Sequence, residues 1–132
     1  RVIGITGKES LTAEMVARVR ASWNQHKDRY ESIFDQIGSL TIQAKDAVQS
    51  GQLSELWELM NLCHGYLNAL QLSTPEIEEL IHLARINGAM GAKLSGGGGG
   101  GSVVALCPDS SNQVARAIEK AGYKSISVMV GS

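Results

Sequence analysis

The chain has 132 residues, with 12 lysines and arginines against 13 aspartates and glutamates and a hydrophobic fraction of 43%. That is enough for one domain with a core of its own, and too apolar for a disordered segment. A net charge of -1 supplies no bulk attraction to nucleic acid or an acidic membrane surface, and the apolar stretches are too short to span a bilayer. No basic stretch precedes an apolar run at the start, so no secretory leader is visible. Cys63 and Cys107 lie far apart with no CxxC spacing, which argues against a metal knuckle or disulfide framework and points to a reducing, cytoplasmic setting.

Arg1 leads directly into Val2-Ile3-Gly4-Ile5 without an initiator methionine, and this reads as a piece cut from a longer protein. The β-branched run from Val2 to Thr6, closed by Gly7, predicts a strand. Ser10 or Thr12 then caps a helix that carries Met15, Val16, Val19 and Trp23 at helical spacing. A second helix is predicted from about Glu31 to Gln49, with Gly38 marking a weak point or kink and Ser50-Gly51 its end. In the third, Leu53, Leu56, Trp57, Met60, Cys63, His64 and Leu67 recur at three- and four-residue steps on one face. Ser73-Thr74-Pro75-Glu76 opens a fourth with a hydroxyl cap, a proline in the first turn and acids near the positive end, and Gly88 stops it.

Past Gly88 the period changes. Ala89 to Leu94 and Ser102 to Leu106 are strand candidates on either side of six consecutive glycines, Gly96 to Gly101. Asp109 or Ser110 caps a last helix with Val114, Ala117, Ile118 and Ala121 inward and Gly122 at its end, and Ile126, Val128 and Val130 alternate along a final half-buried strand. Helices gathered between strands, without strict alternation, predict an α+β two-layer domain.

The glycine run admits three readings: a flexible linker, a tight turn region inside the fold, or a loop whose backbone N–H groups face phosphate or brace another loop that does. About 30 residues follow the run, too few for a core of their own, which weighs against the linker. Its match to GxGxxG is trivial, and the Gly-Lys-Ser/Thr ending of a P-loop is missing.

Gly91-Ala92-Lys93-Leu94-Ser95 followed by the glycines and by Ser102-Val103-Val104-Ala105-Leu106 resembles the third motif of the GHMP kinases, in the K-L-T-G-A-G-G-G-G-C version of the mevalonate kinase branch. Leu59 to Leu70 is similar to that family's L-M-x-x-x-H-x-x-L-x-x-L helix, and Leu72-Ser73-Thr74-Pro75-Glu76-Ile77-Glu78-Glu79-Leu80 to its V-S-x-P-E-L-D-x-L continuation. Thr6-Gly7 and Thr12 fall where the family carries an [S/T]-G step and a helix-opening threonine. Gly97, Ser95 and Ser102 stand where Ala, Thr and Cys are usual, and Ile5 and Ala13 where polar residues are frequent.

The resemblance implies that residues 1–132 form a GHMP kinase C-terminal domain, with a ferredoxin-like antiparallel sheet of about four strands and helices packed on one face. It implies a partner N-terminal kinase domain carrying the ATP loop and the catalytic residues. ATP and Mg2+ are then cofactors of the full-length enzyme, and the isolated chain binds neither and is inactive. Ser95, Gly96, Gly97, Gly98, Gly99 and Gly100 are assigned to bracing the phosphate loop, and Thr6, Thr12 and Lys93 to the substrate side. The acceptor would be a mevalonate-like small molecule, with no nucleic-acid or membrane partner, and a homodimer is compatible. Another GHMP kinase, such as galactokinase or phosphomevalonate kinase, stays open, as does a non-catalytic α+β binding module.

Residue by residue, plainer roles compete. His64 shares an apolar face with Trp57, Met60 and Leu67 and reads as a hydrogen-bonded core residue in preference to a base. Lys93 fits a phosphate contact and a solvated strand position equally. Trp23 and Trp57 suit core or interdomain packing. Ser95 and Ser102 suit turn chemistry as well as phosphate, and Thr12 suits a cap better than a ligand. Only Gly96 to Gly100 rank functional above structural, and chiefly through the resemblance.

Overall fold

The computed structural model describes residues 2–5 as backbone, and residues 13–95 and 101–128 with their side chains. In chain order these form β1 (Val2–Ile5), α1 (Ala13–Gln25), α2 (Lys27–Gln49), α3 (Leu53–Ala69), α4 (Pro75–Ile86), β2 (Gly91–Ser95), β3 (Ser102–Leu106), α5 (Ser111–Lys120) and β4 (Lys124–Ser127). The element order is the predicted one. The strands make an antiparallel four-stranded sheet in the order β2-β3-β1-β4, the ferredoxin-like arrangement that the resemblance implied.

Helix ends follow backbone chemistry. Thr74 caps α4, its hydroxyl oxygen accepting from the Ile77 N–H at 3.2 Å, with Pro75 as the first helical residue. At the other end the Gly88 N–H bonds the Arg85 carbonyl and the Ala89 N–H bonds the Ala84 carbonyl, a Schellman closure that needs the left-handed φ of +110° at Gly88. Gly51 and Gly122 close α2 and α5 with the same paired bonds, and Gln71 closes α3 at φ +60° without being glycine. Three boundaries shift from the sequence expectation, that of β4 among them, which starts at Lys124 and ends at Ser127. α2 starts at Lys27 and runs through Gly38 unbroken. β2 starts at Gly91, because Ala89 is still tied to the end of α4.

Strand β3 explains the layering. Val103 and Ala105 face one way and join Ile77, Leu80, Ile81 and Ala84 of α4 with Val114 and Ile118 of α5 in the main core. Val104 and Leu106 face the other way, into a second cluster with Leu40 and Ala47 of α2 and Leu56, Leu59, Met60 and Cys63 of α3. Helices α4 and α5 therefore cover one face, while the α2–α3 pair lies along the β2 edge and reaches round to the opposite face. Gly91 allows this approach: a β-carbon there would sit 2.9 Å from the Trp57 Cα. At the far edge Ile126 is 51% exposed and Val128, past the end of β4, 41%, so the expected half-buried face of the last strand is not formed by them, and Val130 lies outside the described residues. No helix among the described residues is long and apolar enough to cross a membrane.

Candidate functional site

The stems of the glycine run are neighbours in one ladder. Ser95 and Ser102 are Cα partners at the end of the β2–β3 pair, so the run connects two adjacent antiparallel strands and is not a tether between independent units. Ser102 is in turn opposite Ile5, and Ile5 opposite Lys124. One end of the sheet thus collects, in a row, both stems of the run, the end of β1 and the start of β4. Gly101, the last glycine, is buried against this end.

β2 is an edge strand, and its outer backbone groups are met by side chains of α3 in place of a fifth strand. Asn61 donates from Nδ2 to the Met90 carbonyl at 3.1 Å and accepts at Oδ1 from the Ala92 N–H at 3.0 Å. One helical turn on, His64 Nδ1 accepts from the Leu94 N–H at 3.1 Å. A backbone N–H can only donate, so Nδ1 carries the lone pair and the ring proton sits on Nε2. That proton points at Glu78 Oε2, 2.8 Å away, which also accepts from the Ser73 hydroxyl at 2.5 Å. The His64 side chain is 4% exposed, and burying it is tolerable because both ring nitrogens are satisfied. Partial burial pulls the Glu78 carboxyl upward, but the hydrogen bonds from Ser73 and His64, with the charge of Arg85 nearby, outweigh it and leave that carboxyl below its ordinary value.

Of the residues singled out from the sequence, Ser95 ends β2 and is half-buried, and Lys93 lies two residues earlier, half-buried and opposite Val104. Thr6, Thr12 and Gly96 to Gly100 lie outside the described residues. His64 is the hydrogen-bonded core residue expected. Trp57 is half-buried, its indole Nε1 enclosed without a hydrogen-bond partner among the described residues, and Trp23 donates to Glu31 at 3.3 Å with Lys27 over its ring. Sequence reasoning gave Asn61, Ser73 and Glu78 no site role. The available signal was Asn61 and His64 at i and i+3, two polar residues stacked on an otherwise apolar helix face. Among the described residues no three His, Cys, Asp or Glu side chains gather as a metal site.

Comparison with known proteins agrees with this geometry. The profile of the family described as GHMP kinases C terminal matches residues 44–124. A mevalonate kinase of Pyrococcus horikoshii is 43% identical over 126 residues, covering 92% of this chain and 38% of that protein. A mevalonate kinase of Saccharolobus solfataricus is 36% identical over 103 residues, 78% of this chain and 33% of its own. The crystal structure of L. major mevalonate kinase in complex with R-mevalonate superposes with a TM-score of 0.79 at 30% identity, over 98% of this chain and 43% of that one. The chain therefore spans a third to somewhat under half of the length of these relatives. A hairpin that carries six glycines at the end of a 2-3-1-4 sheet, matched by the profile over most of its length, places the chain in the GHMP kinase family, through the C-terminal domain of that family.

Proposed function

We propose that the chain is the C-terminal domain of a mevalonate kinase, working with an N-terminal kinase domain to convert ATP and mevalonate to 5-phosphomevalonate and ADP. The observation that carries this is the 43% identity to a named mevalonate kinase across 92% of the chain, glycine hairpin included. In this reading the sheet end bearing Ser95 and Ser102 forms one wall of a cleft. Ser95 and Gly96 to Gly100 brace the ATP-phosphate loop of the other domain and offer backbone N–H donors near the moving phosphoryl group. Glycine suits that wall because nothing beyond Cα keeps a phosphate from the amides. Thr6, Thr12 and Lys93 belong to the acceptor side. Phosphoryl transfer asks mainly for positioning and for stabilisation of charge on the transferred group, and Mg2+, held by the N-terminal domain, supplies part of that charge stabilisation when bound.

The test is ADP release by the full-length protein with mevalonate, galactose and phosphomevalonate as competing acceptors. Mevalonate alone is expected to support turnover, and the isolated 132-residue chain none. Gly98→Ala in the full-length enzyme is expected to lower kcat or raise KM for ATP by roughly tenfold with the fold intact, as a displaced phosphate donor would. Turnover with galactose in place of mevalonate moves the assignment elsewhere in the superfamily. Parent-like kinetics in the alanine variant returns the run to a passive turn.

A further inference from the structure

We propose that His64 is a positioning residue for the glycine run, holding the strand end from which the run leaves the sheet. The proposal rests on the reading of the run as the wall that meets ATP phosphates. Leu94 stands two residues before Gly96, and its amide is the last outward N–H of β2 among the described residues that a side chain is seen to hold. Glycine brings no side chain to fix a backbone, so what the fold contributes to the run is the hold on its two stems. The Ser102 end is fixed on both sides, by β2 and by β1. The Ser95 end is ladder-bonded on one side only, and on the other it depends on α3.

That dependence is on an acceptor held at the position of His64 Nδ1. Asn61 already secures the start of β2, and His64 is placed one turn further on, at the position that reaches Leu94. The ring is prevented from turning by its second bond to Glu78, and Glu78 by Ser73, so a chain of three hydrogen bonds runs from the α3–α4 connection to the root of the loop. An apolar side chain in place of His64 would fill the same space and leave the Leu94 N–H buried without a partner. Leu94 is itself 2% exposed in the main core, so displacement of its backbone is resisted on the core side and passes into Ser95.

Two isosteric variants of the full-length protein separate positioning from packing. His64→Asn keeps an acceptor where Nδ1 stood, and His64→Gln keeps a donor where Nε2 stood but no acceptor for Leu94. His64→Gln is expected to lower kcat/KM for ATP about tenfold, leave KM for mevalonate unchanged and speed amide exchange at Leu94. His64→Asn, which keeps the acceptor but not the bond to Glu78, is expected to lose clearly less of the ATP kinetics and the Leu94 protection than His64→Gln. Equal losses in both variants with equal falls in Tm make His64 a packing residue and overturn the proposal, as do parent-like kinetics and exchange in His64→Gln. Should His64→Gln fail to fold, Glu78→Ala reads the same link from its 45%-exposed end: faster Leu94 exchange supports it, unchanged exchange overturns it. If the parent turns over no ATP, the kinase reading fails by itself, and the exchange data still decide whether His64 holds the strand end.

Discussion

Adding one methyl group at Gly91 tests how tightly α3 is fastened to the β2 edge. The β-carbon of alanine would lie 2.9 Å from the Trp57 Cα, 3.2 Å from the Trp57 carbonyl oxygen and 3.3 Å from the Met60 sulfur. Carbon atoms prefer about 3.5–4.0 Å, so α3 must retreat by roughly 0.6 Å or more, and two of the three contacts are backbone that cannot swing away. The retreat also stretches the bonds from Asn61 to Met90 and Ala92 and from His64 to Leu94, which stand at 3.0–3.1 Å. Overpacking of this kind costs about 1–3 kcal/mol, and weakening the one buried bond of the three, from the Leu94 N–H to His64, about 1 kcal/mol more. Gly91→Ala should therefore destabilise the chain by about 2–4 kcal/mol, on the order of 10 °C in Tm for a domain of this size. Urea and thermal unfolding followed by circular dichroism measure it, with amide exchange at Ala92 and Leu94 reporting the two strand bonds. A variant within about 0.5 kcal/mol of the parent, with unchanged exchange, would show that the helix does not depend on the missing side chain.

Two further outcomes follow from other positions. Gly38 is exposed in the middle of α2, and a β-carbon there would meet nothing within 4 Å, so Gly38→Ala should raise stability by roughly 0.5–1 kcal/mol, and a fall would mean that α2 is not helical there. Tyr123 donates its phenol proton to Glu79 at 2.5 Å, and that bond first, then desolvation and the charges of Glu79 and Glu76, pushes its pKa up to about 12. The neutral phenol is the favoured form, so its contribution is fully present below the ordinary pKa of about 10 and is lost as pH rises from there to about 12. Tyrosinate absorbance should show a transition near pH 12 that moves down in Glu79→Gln. A transition unmoved by that change would assign the shift to another cause.

The sequence was most legible where one residue type has one local use. Gly51, Gly88 and Gly122 marked helix ends because the left-handed closing residue favours glycine, and Thr74-Pro75 marked a start because few other pairs serve a cap and a first turn together. Gln71 closes α3 by the same bonds at φ +60°, and no local pattern announces a glutamine that accepts this strain in order to turn the chain toward α4. The two-sided use of β3 was hidden for a related reason. Val103-Val104-Ala105-Leu106 is apolar throughout, so alternation could not say that both faces are covered, by α4 and α5 on one and by α2 and α3 on the other. For the site, the glycine run is visible as composition, but the groups that hold its root are not. Asn61 and His64 act on a strand about thirty residues away, and their polarity looks like a blemish on an apolar helix until the sheet edge is in place beside it. A helix that borders an edge strand must present hydrogen-bonding groups there or leave the strand's N–H groups buried and unpaired. Polar residues at i and i+3 on an otherwise buried stripe are therefore a signal for that edge, and here the edge leads directly into the loop.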